Sequence, residues 1–142
     1  MKKIMSMAMM VSLLHIYTVQ ARVSVKGDVV NIVELAKKNT NFRQEIVTGK
    51  HSQVVIMSIP VGGEIGLEVH KVDQTLVFVQ GKAQAILDGK VSELLPGYLL
   101  FVPAGTQHNV KNSGSEDLKL YTIYAPAQHK PGTIEKTKSK YE

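Results

Sequence analysis

Two histidines, His70 and His108, stand 38 positions apart, each in a segment rich in other donor side chains. Glu68 and His70 are separated by one residue, so on an extended strand both side chains leave the same face. Gln74 follows at an even offset and joins that face if the strand is regular. A curled sheet could then bring His108 opposite a carboxylate oxygen, an imidazole nitrogen and an amide oxygen. Two imidazoles with oxygen donors suit a first-row divalent ion such as Fe, Mn, Ni, Co or Zn, whereas Ca and Mg prefer all-oxygen shells. Gln74 is neutral, so the shell carries one formal negative charge, from Glu68, and binds metal less tightly than a two-carboxylate shell would. Asp73 is the alternative to Gln74, since a bulge at that point would turn its carboxylate inward. Such an ion can polarise a carbonyl or enolate, or activate dioxygen if it is redox-active. Glu68 could leave the shell and act as general base.

The elements that must position these residues read as β-strands. Gln53 to Ile59, Thr75 to Val79, Ala83 to Leu87, Tyr98 to Val102 and Leu118 to Tyr124 are short and rich in β-branched or aromatic residues. Gly62-Gly63, Gly81, Asp88-Gly89, Pro96-Gly97, Pro103-Ala104-Gly105 and Ser113-Gly114 punctuate them, with Asp88-Gly89 the clearest two-residue hairpin turn. Many short strands with regular turns and almost no helix imply an all-β sandwich or barrel. Before them, Val29 to Leu35 reads as a short extended run, with a helical turn over Glu34 to Lys38. Pro103 stiffens the approach to His108, and Asn112 reads as a residue that satisfies turn backbone. Tyr98, Tyr121 and Tyr124 read as core or rim residues, one of which could supply a phenolic proton. His51 and His129 are isolated and read as solvated side chains.

Composition excludes several classes. The chain has 142 residues, 44% of them apolar, with no cysteine and no tryptophan. One domain fits that length, and neither a disulfide scaffold nor a thiolate metal site is open to it. A net charge of +5 with three Phe and five Tyr leaves little surface for stacking bases, so no nucleic-acid partner is expected. Five of the six Met lie within the first ten residues, where Lys2 and Lys3 precede an apolar run from Ile4 to Leu14 and Val19-Gln20-Ala21 follows. Residues 1–21 therefore read as a secretory signal peptide, too short in its apolar part for a stable membrane anchor. Export to a periplasmic or extracellular space is expected. Removal of residues 1–21 would leave 121 residues with a net charge of +3. Residues 22–52 form an arm or strand, 53–125 the barrel, and 126–142 an extended, polar, Lys-rich tail.

The stretch GGEIGLEVHKVDQTLVFVQG, Gly62 to Gly81, resembles the first cupin motif, G-x5-H-x-H-x3/4-E-x6-G. Gly97 to Asn112, GYLLFVPAGTQHNVKN, resembles the second, G-x5-P-x-G-x2-H-x3-N. The second matches at Gly97, Pro103, Gly105, His108 and Asn112. The first keeps the spacing, with Glu68 where the pattern has its first His and Gln74 where it has Glu. The resemblance covers about residues 53–125. It implies a conical β-barrel (double-stranded β-helix, or jelly roll), a metal in the barrel mouth held by His70, His108, Glu68 and Gln74, and often a homodimer.

Two functional classes follow. One is a metal-dependent cupin enzyme, an oxygenase or a sugar-type isomerase, acting on a small oxygenated or carbohydrate-like molecule. The alternative is a non-catalytic module that binds a small molecule or metal. Fold resemblance alone does not choose between them.

Overall fold

The computed structural model describes residues 27–139, and the segment read as a signal peptide lies outside them. The strands are β1 (Arg43–Thr48), β2 (Gln53–Ile59), β3 (Asp73–Gln80), β4 (Ala83–Leu87), β5 (Lys90–Leu94), β6 (Leu99–Val102), β7 (His108–Asn112), β8 (Leu118–Ala125) and β9 (Ile134–Glu135), preceded by one helix, α1 (Ile32–Lys38). Six strands form an antiparallel sheet in the order β6-β3-β8-β2-β1-β9, and β5-β4-β7 form a second. Between them lies one apolar core, as the all-β reading of the sequence required.

Period-two alternation builds this core and also its polar end. Val55, Met57 and Ile59 of β2, Leu76 and Phe78 of β3, and Leu118 and Leu120 of β8 point inward and are buried. Toward one end the same inward face turns polar, with Gln53, Gln74, Thr122, Tyr124 and His108 all buried. Register places these side by side: Gln53 pairs with Tyr124, Tyr124 with Gln74, and Gln74 with Val102. Burial of that many polar groups demands partners, and most find them in one another.

Turns behave as their residues dictate. Asp88 and Gly89 both have positive φ, 44° and 81°, and join β4 to β5 in a two-residue hairpin. Gly81 (φ +86°) lies against β8, where an added Cβ would stand 3.1 Å from the Leu118 Cα. Asn112 satisfies backbone as expected: its Nδ2 donates to the carbonyls of Ile59 and Glu116, and its Oδ1 accepts from Gly114 N–H.

Two flanking segments differ from the sequence reading. The extended run expected from Val29 ends at Asn31, whose Oδ1 accepts from Glu34 N–H and caps α1, while Lys37 and Lys38 complement its C-terminal dipole. Residues 126–139 do not form a free tail. Gln53 clamps them, donating to the His129 carbonyl and accepting from His129 N–H, and β9 then pairs with β1.

Candidate metal centre

Glu68 and His108 meet through the backbone. Each donates its N–H to the other's carbonyl at 2.9 Å, an isolated antiparallel bridge that sets residues 40 positions apart directly opposite. The surrounding segment is not the regular strand expected for Glu68 to Gln74. Positive φ at Gly62 and Gly66 takes the chain out of extended geometry, and Asn109 fixes it by accepting from Gly66 N–H and donating to Glu64. His70 is tied to the second motif instead, its carbonyl accepting from Gly105 N–H at 2.7 Å. The glycine turn before His108 thus delivers both histidines.

The side chains converge. His70 Nε2 lies 3.0 Å from Glu68 Oε2, His108 Nε2 lies 3.9 Å from the same oxygen, and the two rings are 5.1 Å apart. Ligand atoms of Glu68, His70 and His108 all lie within 4.8 Å of one another. Neighbouring donors about an ion with bonds of about 2.1 Å stand roughly 3 Å apart, so small adjustments would seat one. A carbonyl can only accept, so the 3.0 Å contact between His108 Nδ1 and the Thr106 carbonyl places the proton on Nδ1. The lone pair therefore sits on Nε2, which is fully buried and has no hydrogen-bond partner. That tautomer is the one a metal-ligating imidazole needs.

Gln74 and Asp73 separate clearly. Gln74 is buried on the inward face, where its Nε2 donates to Thr122 Oγ1 and Tyr124 Oη, leaving Oε1 buried without a partner. Asp73 is exposed on the opposite face, and its Oδ1 accepts from Ala104 N–H at 2.9 Å. No bulge turns it inward. Its work is to pin the Pro103-Gly105 turn, so of the two only Gln74 faces the barrel interior.

The orphaned His108 Nε2 together with the His70 imidazole and the ionised Glu68 carboxylate is the donor set of a borderline transition metal, and the residues fit such an ion; Gln74 Oε1 is a further unpartnered acceptor on the barrel's inward face.

Sequence reasoning missed Arg43. Its side chain is 2% exposed, its Nη1 donates to Glu135 Oε2 at 2.7 Å, and its Nη2 stands 3.6 Å from Glu68 Oε1. His129, read as solvated, packs edge-on against Tyr124, which in turn packs against His70. His51 is exposed, as expected.

Electrostatics keep Glu68 ionised. Burial is the largest influence on its carboxyl and pushes toward the neutral form, yet the His70 hydrogen bond and the Coulomb attraction of His70 and Arg43 outweigh it, so its pKa is lowered from 4.5. A carboxylate held this way is a poor proton acceptor, which favours Glu68 as a ligand over Glu68 as a base. A depressed carboxylate stabilises the fold above its unfolded pKa and loses that contribution as pH falls through the folded value. Metal-free protein should accordingly lose stability as pH drops below about 4.5, and Glu68→Gln should lose less over the same window. Denaturant midpoints of both proteins between neutral and acid pH check this, and parallel profiles would refute it.

Comparison with known proteins agrees with the geometry. The cupin domain profile matches residues 55–124. Over 122 residues the chain is 45% identical to YrkC of Bacillus subtilis (strain 168), an uncharacterized protein, across 80% of this chain and 65% of that one. It thus spans about two thirds of that relative's length. An uncharacterized protein of Acanthamoeba polyphaga mimivirus is 38% identical over 112 residues, which is 75% of this chain and 70% of the viral protein. Among solved structures, BH2720 from Bacillus halodurans is 42% identical with a TM-score of 0.77, over 80% of this chain and 91% of that one.

Proposed function

Since this chain carries a cupin domain over residues 55–124, we propose that it binds a divalent transition metal through His70, His108, Glu68 and Gln74 and, through that metal, a small oxygenated molecule. The orphaned His108 Nε2, buried and pre-set by its Nδ1 contact to Thr106, carries the reading. Asymmetry among the donors supports it further: one carboxylate and one neutral amide balance less of the ion's charge than two carboxylates would. That leaves the ion more electrophilic toward an oxygen-bearing ligand.

When bound, the metal supplies Lewis acidity toward a carbonyl or hydroxyl oxygen, which suits hydroxy-carbonyl and carbohydrate-like compounds. The chain's own residues do the rest. Thr122 and Tyr124 hold the Gln74 amide so that Oε1 stays available, and Thr106 keeps the His108 ring in register. Asp73 fixes the turn that feeds both histidines into the site.

One observation favours capture without turnover as a second reading. Glu68 is the only carboxylate among the described residues in the cluster, and its two oxygens face His70 and Arg43. A panel of small hydroxy acids, keto acids and sugars added to metal-loaded and metal-stripped protein tests the proposal by thermal shift and product analysis. Stabilisation by a compound only in the loaded protein supports metal-mediated binding, and product formation separates enzyme from module. Equal stabilisation of both forms would remove the metal from the account of ligand recognition.

Export belongs to the same proposal, supported by Lys2-Lys3, the apolar run and Val19-Gln20-Ala21. A native protein whose N-terminus is Arg22 agrees with it, and one retaining Met1 contradicts it.

A further inference from the structure

We propose that Glu135 is a positioning residue for the metal centre, acting through Arg43 to keep the Glu68 carboxylate available; this rests on the metal-binding reading above. Arg43 and Glu135 stand directly opposite on β1 and β9, so their side chains share one face. The guanidinium lies between two carboxylates but not midway: 2.7 Å from Glu135 Oε2 and 3.6 Å from Glu68 Oε1. The first is a short charge-assisted hydrogen bond; the second is longer than a hydrogen bond. Arginine keeps its charge when buried, so this cation is permanent and must be set against anions.

Glu135 takes the tight contact, and that leaves Glu68 Oε2 directed at His70 and His108. With a neutral residue at 135, more of the attraction of the guanidinium would fall on Glu68. Arg43 would then compete with the metal for the same carboxylate. Glu135 can play this part because β9 is fixed: Phe42 N–H donates to the Lys136 carbonyl, Glu45 N–H to the Thr133 carbonyl, and Gly132 N–H to Glu45 Oε2. The C-terminal segment is thereby coupled to the metal site through a buried cation.

Titration of the full chain with Co2+, followed by visible absorption, tests this. Glu135→Gln should weaken Co2+ binding by about 10- to 100-fold, the usual cost of losing a supporting partner of a metal ligand. The double variant Arg43→Met/Glu135→Gln removes the competing cation together with its anchor and should return affinity to near the wild-type value. A merely structural role for Glu135 would give no such rescue. Wild-type affinity in Glu135→Gln, or a double variant as weak as the single, would overturn the inference while leaving the metal reading intact. A wild-type chain that takes up no Co2+ would overturn both.

Discussion

Replacing His108 by alanine is expected to abolish transition-metal binding, with a loss beyond the roughly 100-fold that removal of a supporting partner costs. The ring is fully buried, its Nδ1 is committed to the Thr106 carbonyl and its Nε2 meets no protein partner. It enters the site with its orientation already fixed, so little side-chain entropy is lost when it binds an ion. Alanine removes a ligand and leaves the Glu68–His70 pair, held at 3.0 Å by a proton on His70 Nε2 rather than by a metal. Co2+ titration and thermal unfolding of the same sample separate loss of ligand from loss of fold. His51→Ala, an exposed histidine outside the cluster, should bind as wild type does. Metal affinity in His108→Ala equal to wild type would place the ion elsewhere or nowhere.

Arg43→Met should give the largest loss of stability, about 3 kcal/mol and a fall in Tm of roughly 10 °C. Removing one member of a buried charge network strands the others, which costs more than never having built it. Here the stranded groups are Glu68, 16% exposed, and Glu135, 31% exposed. Residual solvent at Glu135 keeps the estimate at the low end of the range for fully buried pairs. The same substitution combined with Glu135→Gln should cost less than Arg43→Met alone, because fewer charges are left unmatched. Urea denaturation of the three proteins checks the order. An Arg43→Met unfolding free energy within about 0.5 kcal/mol of wild type, the range of ordinary surface changes, would contradict the buried network.

Much of the barrel was legible because its code is local. Strands Gln53–Ile59 and Ala83–Leu87 follow from alternation bounded by turn residues, and Asp88-Gly89 announces its hairpin. The motif spacing singled out Glu68, His70 and His108, whose side chains converge, although the irregular segment around Gly66 defeated the assumption of one continuous strand. Harder to read was β7, His108–Asn112, whose residues are mostly polar. It is a strand because Asn109 and Asn112 are buried and partnered by Gly66, Glu64 and Ile59, and such partnering is set by distant residues. Asn31 and Glu34 carried a helix-start signal over α1 that the β-branched residues beside them obscured.

Arg43 and Glu135 show the limit most plainly. They lie 92 residues apart, and nothing near either distinguishes it from a solvated charge, which is what arginine and glutamate usually are. Only the pairing of β1 with β9 brings them together. The C-terminal segment misled for the same reason: its composition is that of a tail, and its anchors, Gln53 and Glu45, belong to other strands.

On the proposed reading a transition metal is held between His70 and His108. Elemental analysis of the full chain, purified without chelator and compared with His108→Ala, tests it most directly. Stoichiometric iron, manganese, cobalt, nickel or zinc is expected in the wild type and only traces in the variant. Equal metal in both proteins, or none in a wild type supplied with all five ions, would contradict it.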